Sequence, residues 1–209
     1  MKMTCAGGAD IDASSNGFAA FPGFYRRQAR NGALCESIER HCLICWWEGL
    51  LNHQSLPDPA SGVHAIQVEN PYSSHAVVIL WTCDDGRYAY SFGASNGLNS
   101  AVWRSLVELH RTCQLVRGIT ELSSGREGEL PQGHMYEQRI RHFSGGAGVD
   151  QFLDRLEAVS NSYGKSGAFE LLYDAAVMGP WDRYAGVWRT IIKPPSRRYL
   201  SDAVDYFFW

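Results

Sequence analysis

The chain has 209 residues and a net charge of −3, which suits one domain and argues against the basic surface of a nucleic-acid-binding protein. No apolar run reaches the roughly 18 residues that a membrane-spanning helix needs, and the first residues lack the apolar core of a signal peptide. We therefore expect a cytoplasmic protein that binds neither nucleic acid nor a membrane. In that compartment the six cysteines are expected to be reduced.

The first part of the chain predicts a flexible N-terminus followed by a long helix. Residues 1–14 are mostly small and polar, whereas residues 15–209 have the composition of a single domain. Apolar side chains recur every fourth position within residues 22–47, which is typical of a helix with one buried face. Gly49 is a favourable residue to end that helix.

A β-hairpin is predicted after the helix. Residues 57–62 contain two prolines and a glycine and predict a loop. Two strand-like runs follow, at residues 63–69 and 75–82, and the Asp-Gly pair at residues 85–86 is a strong hairpin signal. Residues 87–92 alternate polar and aromatic side chains, as expected of the returning strand.

Three more helices and one strand complete the predicted elements. A helix is expected at residues 99–117, with Gly118 as its stop, and two others at about residues 150–163 and 168–178. Residues 188–193 predict a last strand, which a Pro-Pro pair ends. The mixture indicates the α+β class, with an antiparallel hairpin or sheet packed against helices.

Two of the predicted helices carry similar groups of charged side chains. Glu36 and Glu39 lie three residues apart on the first helix, and Arg104, Glu108 and Arg111 share one face of the second. Carboxylates are the ligands that Mg²⁺ prefers, and guanidinium groups bind phosphates. Two such helices around a hairpin suggest a shared pocket, although a solvated helix face with ordinary ion pairs explains the same spacing.

The cysteines permit a zinc site but favour a simpler interpretation. Cys42 and Cys45 form a Cys-x-x-Cys pair beside His41, with Cys35 nearby. A structural zinc site normally has four ligands, often from two such pairs, and the chain has no second pair. Because both cysteines stand among apolar residues, buried thiols are the better prediction. No feature positively supports a catalytic Cys–His pair.

The glycine-rich segments do not form a phosphate-binding loop. Residues 144–148 have the glycines without a following Lys-Ser or Lys-Thr, and residues 164–167 have the Lys-Ser without the glycine spacing. A Walker-type P-loop is therefore absent from the sequence. A nucleotide would have to be bound by carboxylates, a metal ion and arginines.

Several motifs, in order, resemble those of the YcaO family. Residues 15–20 read Ser-Asn-Gly-Phe-Ala-Ala, residues 34–40 read Leu-Cys-Glu-Ser-Ile-Glu-Arg, and Trp46 and Trp47 follow. These match the central segment of that family, whose members are ATP-dependent enzymes that modify peptide backbones and include cyclodehydratases of ribosomal peptide natural products. Three later segments match in family order: residues 91–94, 101–111 and 187–194.

The resemblance implies a nucleotide site. In the family, glutamates at the positions of Glu36 and Glu39 help to hold Mg²⁺ and ATP. Four further residues are carried over as nucleotide-binding: Arg104, Glu108, Arg111 and Arg189. Arg111 stands where the family usually has glutamine, and no catalytic residue is assigned.

The resemblance also implies a partner. The family has an earlier segment with its own pair of glutamates, and this chain begins after it, so residues 15–209 are expected to be a truncated YcaO-like domain. One hypothesis is a subunit of a split cyclodehydratase-like enzyme that acts on a precursor peptide and is completed by a second chain or by homo-oligomerisation. The aromatic residues 206–209 either pack back or, in this hypothesis, lie at the interface.

Two alternatives remain open. The chain is either a catalytically inactive YcaO-like scaffold that binds a precursor peptide or an enzyme partner, or a small globular protein whose glutamate helices face solvent. Whether Glu36 and Glu39 take part in nucleotide binding separates the scaffold from the split enzyme.

Overall fold

The computed structural model describes residues 15–124, 135–158, 169–196, 198–200 and 205–208. These residues form two antiparallel sheets and four α-helices, which confirms the α+β class. The expectation for residues 1–14 lies outside the described residues. Within the described part, no helix combines the length and apolarity needed to cross a bilayer.

After the first strand and helix, the elements follow one another in runs of strands and of helices. In chain order the elements are β1 (Asn16–Pro22), α1 (Arg26–Trp47), β2 (His53–Ala60), β3 (Val63–Val68), β4 (Ala76–Asp84), β5 (Arg87–Ser95), α2 (Leu98–Ser124), α3 (Met135–Phe143), α4 (Ala147–Glu157), β6 (Leu171–Ala176) and β7 (Ala185–Ile192). A 3₁₀ turn at Arg198–Leu200 follows.

The larger sheet is a meander that has helices on both faces. Its strand order is β2-β3-β4-β5, and Asp85 and Gly86 form the β4–β5 turn with φ values of 51° and 73°. Two consecutive positive φ values are what a tight hairpin turn requires, so the predicted hairpin is confirmed. Helix α2 packs on one face, where a Cβ on Gly93 would lie 2.4 Å from Ser105 Oγ.

The smaller sheet places β1 directly on helix α1. Its order is β1-β7-β6, with all pairs antiparallel. A Cβ built on Gly17 would lie 1.7 Å from the carbonyl oxygen of Ala33, a contact that no side chain can make. The absence of a side chain at Gly17 therefore fixes how closely β1 approaches the helix.

The C-terminal aromatic residues belong to the hydrophobic core. Tyr206, Phe207 and Phe208 are at most 2% exposed and pack with the last turns of α1. The ring of Phe207 lies 5.6 Å from Trp46 and 5.1 Å from Trp47, measured between ring centroids. Of the two alternatives for these residues, packing back is therefore confirmed for residues 206–208, because they lie in the chain's own core and not at a partner interface.

Three predicted elements differ from the structure. Residues 57–60, predicted as loop, belong to β2, where the missing amide hydrogens of Pro57 and Pro59 are tolerated because β2 is an edge strand. The helix predicted at residues 168–178 is instead strand β6, which pairs with β7. Gly118 lies within α2 and does not end it.

The remaining predictions agree apart from their ends. Helix α1 begins at Arg26, four residues after Pro22, because the preceding residues pair with β7. Helix α4 ends at Glu157, and most of the predicted extension to residue 163 lies outside the described residues. The last strand is β7, which begins at Ala185.

Candidate functional site

A cleft of about 800 Å³ lies where α1, α2 and strand β5 meet, with β1 along one side. Its size is in the range of small-molecule binding sites. The charged residues that line it come from both predicted glutamate helices: Glu36, Glu39, Arg104 and Glu108. The shared pocket expected from the two helices is thus present, and residues far apart in sequence meet in it.

Both carboxylate oxygens of Glu36 are hydrogen bonded. Oε2 accepts from the backbone N–H of Phe18 at 2.8 Å, and Oε1 accepts from Nη2 of Arg40 at 3.0 Å. The Arg40 pair spans one helical turn and is partly exposed, so its contribution to stability is small. The Phe18 contact ties α1 to the edge of β1.

Glu39 is the most perturbed carboxyl group of the cleft. Burial, and to a smaller extent the negative charge of Glu36, raise its pKa from 4.5 to about 7, against the opposing effect of Arg40 and Arg104. The backbone N–H of Ala94 faces this carboxylate and favours its ionised form, which lowers the pKa. Near neutral pH, therefore, both the protonated and the ionised form of Glu39 are populated. A perturbed carboxyl in a cleft indicates a functional site.

The arginine of α2 holds the edge of β5. Arg104 Nη1 donates to the carbonyl oxygen of Ala94 at 3.3 Å, so the backbone of Ala94 contacts Arg104 and Glu39 together. This arrangement places one guanidinium group and one carboxyl group side by side at the same strand edge. A phosphate oxygen and a cation are the ligands such a pair can bind.

The other two predicted arginines lie away from the cleft lining. Arg111 Nη1 pairs with Glu108 Oε1 at 2.6 Å on the exposed surface of α2. For Arg111, therefore, the interpretation as an ordinary surface ion pair agrees with the structure. Arg189 lies on β7 next to Thr190, which pairs with Gly17, the residue that abuts α1. Since neighbouring side chains of a strand alternate, Arg189 lies on the opposite face of the sheet.

Sequence reasoning missed the apolar side of the cleft. Phe18 and Phe21 of β1 and Val107 of α2 line it and are between 38% and 53% exposed. Cys35 also lines it, one turn before Glu39. Phe18 and Phe21 are three residues apart in β1, so their side chains lie on opposite faces of the strand and do not form an alternating apolar pattern. Neither residue is charged, so charge did not indicate them either.

The carboxylates of the cleft fit Mg²⁺ only in part. Among the described residues, no group of three or more histidine, cysteine, aspartate or glutamate side chains is placed to hold a metal. Glu36 and Glu39 are two carboxylates in one cleft, and Mg²⁺ in nucleotide sites uses one or two carboxylates with phosphate and water. The donor set therefore fits a nucleotide-bound Mg²⁺ and does not make a separate protein metal centre.

The Cys-x-x-Cys pair is part of the core. Cys42 and Cys45 are buried free thiols, and burial raises the pKa of Cys45 to about 12. His41 beside them is buried, its pKa is lowered to about 4 by that burial, and its Nδ1 lies 3.3 Å from Ser15 Oγ. Protonated thiols in an apolar environment are poor ligands and nucleophiles, which supports the interpretation as buried thiols.

The fold is similar to that of a solved YcaO structure. That structure is YcaO from Methanopyrus kandleri bound with AMPPCP and Mg²⁺, and the likeness has a TM-score of 0.50 at 13% sequence identity. The match covers 95% of this chain and 60% of that chain, so this chain spans less than two thirds of the other. No family model and no curated protein matches the sequence. The likeness shows a YcaO-like fold.

Proposed function

We propose that this chain is a subunit of an ATP-dependent enzyme that modifies peptide backbones, in the maturation of a ribosomally made peptide, and that a partner chain completes the site. The observation that carries the proposal is the convergence of Glu39 and Arg104 on the Ala94 backbone, inside a cleft that Glu36 also lines. The YcaO-like fold adds support, because its solved neighbour holds AMPPCP and Mg²⁺.

Each cleft residue has a defined task in this proposal. Arg104 binds phosphate oxygens, for which its guanidinium group is suited. Glu36 and Glu39 hold the Mg²⁺ of the nucleotide, whose charge would also lower the pKa of Glu39 and keep it ionised. ATP, when bound, would supply the phosphoryl group for the amide oxygen after a Cys, Ser, Thr or other nucleophile has attacked the amide carbon; ADP would be released, the oxygen would leave as phosphate, and the product would be a heterocycle, an amidine or a thioamide. The chain itself contributes binding and positioning.

A second candidate function is a scaffold that binds a precursor peptide without catalysis. Two observations favour it: both oxygens of Glu36 already have partners, and Glu39 is not fully ionised at neutral pH. A scaffold would keep the cleft for peptide and would not bind nucleotide. The two candidates therefore differ in one measurable property of the purified chain.

Calorimetric titration with AMPPCP and Mg²⁺ tests the proposal. Because Glu36, Glu39 and Arg104 all belong to this chain, we expect it to bind the nucleotide even before a partner completes the site. We expect Arg104→Gln to weaken this binding about tenfold or more because a charge-assisted hydrogen bond to phosphate is lost. Arg111→Gln is the matched control on the same helix, and we expect it to stay within about twofold because Arg111 lies outside the cleft lining. Absence of binding, or equal losses in both variants, would support the scaffold.

A further inference from the structure

Strand β1 is an edge strand of its sheet, and Phe18, Ala19 and Phe21 on it line the cleft. The N–H of Ile192 donates to the carbonyl oxygen of Ser15 at 2.9 Å, which fixes the register of the β1–β7 ladder. Hydrogen-bonded pairs alternate along an antiparallel ladder, so Gly17 bonds towards β7. Phe18 and Ala20 therefore turn their N–H and C=O groups towards the free edge.

Strand β5 is the corresponding edge of the larger sheet. The N–H of Tyr88 points away from β4 and donates to the carbonyl oxygen of Ser144 at 3.0 Å. By the same alternation, Ala94 also turns its backbone outwards, where its N–H meets Glu39 and its C=O meets Arg104. Both edges that border the cleft are thus occupied by cleft side chains.

These side chains occupy the positions that a guest strand would use. A carboxylate oxygen of Glu36 on the Phe18 N–H and one of Glu39 on the Ala94 N–H stand where carbonyl oxygens of a neighbouring strand would lie. The Arg104 N–H on the Ala94 C=O stands where an amide N–H would lie. At Ala94 the two side chains together resemble one hydrogen-bonded residue pair of a ladder, and at Phe18 the Glu36 carboxylate replaces a single carbonyl group.

Apart from the Glu36 contact, strand β1 has little protection of its own against pairing. Natural edge strands are commonly blunted by charged residues, whereas Asn16–Pro22 carries none and exposes Phe18 by 53%. Its only blunting feature is Pro22 at the end of the strand. Strand β5 and helix α2 form the opposite wall of the cleft, so a guest segment beside β1 would lie between them.

We propose that the cleft binds an extended, apolar segment of the peptide substrate by main-chain hydrogen bonds to β1 and β5, and that its carbonyl groups displace Glu36 and Glu39 from the Phe18 and Ala94 amides. Main-chain pairing supplies affinity with little demand on side chains, and the aromatic rim favours apolar ones. Peptide binding does not require nucleotide, but its consequence rests on the function proposed above.

That consequence is positive coupling between peptide and nucleotide. Carboxylates released from the strand edges become free to hold the nucleotide's Mg²⁺, so the chain would bind nucleotide more tightly when peptide is present. The site would then be suited to ATP use only when a backbone amide lies beside it. Coupling of this kind is reciprocal, so nucleotide would raise peptide affinity by the same factor.

A strand-forming probe tests the binding step. The probe is an acetylated and amidated hexapeptide of alternating threonine and valine, titrated to millimolar concentration into the ¹⁵N-labelled chain. We expect saturable shifts of the Phe18, Ala20 and Ala94 amide signals. Ala20→Pro should abolish them, because it removes an edge N–H without breaking the β1–β7 ladder, and Ala20→Thr should retain them. No shift at these amides, or equal shifts in both variants, would overturn the proposal.

Nucleotide titrations of the same samples test the coupling. We expect the probe to tighten binding of AMPPCP with Mg²⁺ by about fivefold or more, and not to do so in Ala20→Pro. Weaker nucleotide binding in the presence of the probe would show competition and would overturn the coupling. If the probe binds but nucleotide never does, the enzyme proposal fails while peptide capture stands. If nucleotide binds and the probe does not, only the capture proposal fails.

Discussion

Helix α1 has two halves whose side chains have different surroundings. Its last two turns are buried among aromatic rings, with Trp46 inaccessible to solvent and in contact with Phe152 and Phe207. The preceding turns line the cleft, where Glu36 and Glu39 repel each other and bond to the edges of two different sheets. The buried half contributes to stability, whereas the half at the cleft retains an unfavourable repulsion between two carboxyl groups that a ligand can relieve.

The largest expected effect comes from breaking the core half. Phe207→Ala removes a fully buried ring that lies within 6 Å of Trp46, Trp47 and Phe152, measured between centroids. We expect a loss of about 3–5 kcal/mol in the free energy of unfolding, measured by urea denaturation. The matched control is Phe24→Ala, which removes a ring that is 82% exposed and should change stability by at most about 0.5 kcal/mol. Equal effects of the two variants would show that the C-terminal residues are not part of the core.

The junction between β1 and the helix is expected to be the next most sensitive position. Gly17→Ala forces a methyl group against the Ala33 carbonyl and should cost about 1–3 kcal/mol, because the strand must move away from α1. Gly97→Ala is the control, since a Cβ there meets nothing within 4 Å. A Gly17→Ala variant as stable as the control would contradict the close contact of β1 with the helix.

In the half of α1 that lines the cleft, we expect a substitution to raise stability instead of lowering it. The folded pKa of Glu39 is about 7 against an ordinary value of 4.5, so the folded state holds an extra proton between these values. Stability of the native chain should therefore fall as pH rises from 4.5 to 7 and then level off. Glu39→Gln does not titrate, so its stability does not fall in this way, and its side chain still offers an oxygen to the Ala94 amide. We expect it to be more stable at pH 8 by about 1 kcal/mol, allowing for solvent screening.

Thermal unfolding between pH 4 and pH 8 measures this difference. The Tm gap between Glu39→Gln and the native chain should be small near pH 4 and should open through the interval up to the folded pKa of about 7. A Tm gap that does not change with pH, or a variant that is less stable at pH 8, would contradict a raised pKa of Glu39 in the folded state.

The smallest expected effect lies on the exposed side of α1. Arg30 Nε donates to Asp174 Oδ2 at 2.9 Å, and this pair links the helix to β6 across the surface. Asp174→Asn removes the ion pair but keeps an acceptor for the Trp188 indole N–H. We expect a fall in Tm of at most about 2 °C, which 1 M salt should reproduce in the native chain. A larger fall would assign the pair a structural role.

Local signals in the sequence predicted much of the fold. The Asp-Gly turn at residues 85–86 and the apolar stripe of α1 are short-range features, and both elements formed as expected. The helix predicted at residues 168–178 became β6 because pairing with β7 outweighs local propensity. Strand β2 was missed because its prolines favour a loop unless the strand lies at an edge, and edge position is a tertiary property.

The candidate site was only partly visible in the sequence. Helical spacing was enough to bring Glu36 and Glu39 together, and the second helix added Arg104. The position of Arg189 depends on which face of β7 packs against α1, and that is fixed by Gly17 in another strand. The backbone groups of Phe18 and Ala94 left no sequence signal, because any residue type supplies an N–H and a C=O.

The most direct test of a nucleotide site in the cleft half of α1 is an amide NMR titration of the ¹⁵N-labelled chain with AMPPCP and Mg²⁺. The signals of Gly32, Cys35, Glu39 and Arg104, all lining the cleft, should shift together and saturate. Those of the buried core half, such as Ile44, should stay unchanged. Shifts confined to other parts of the chain, or no shifts at all, would contradict a nucleotide site in this cleft.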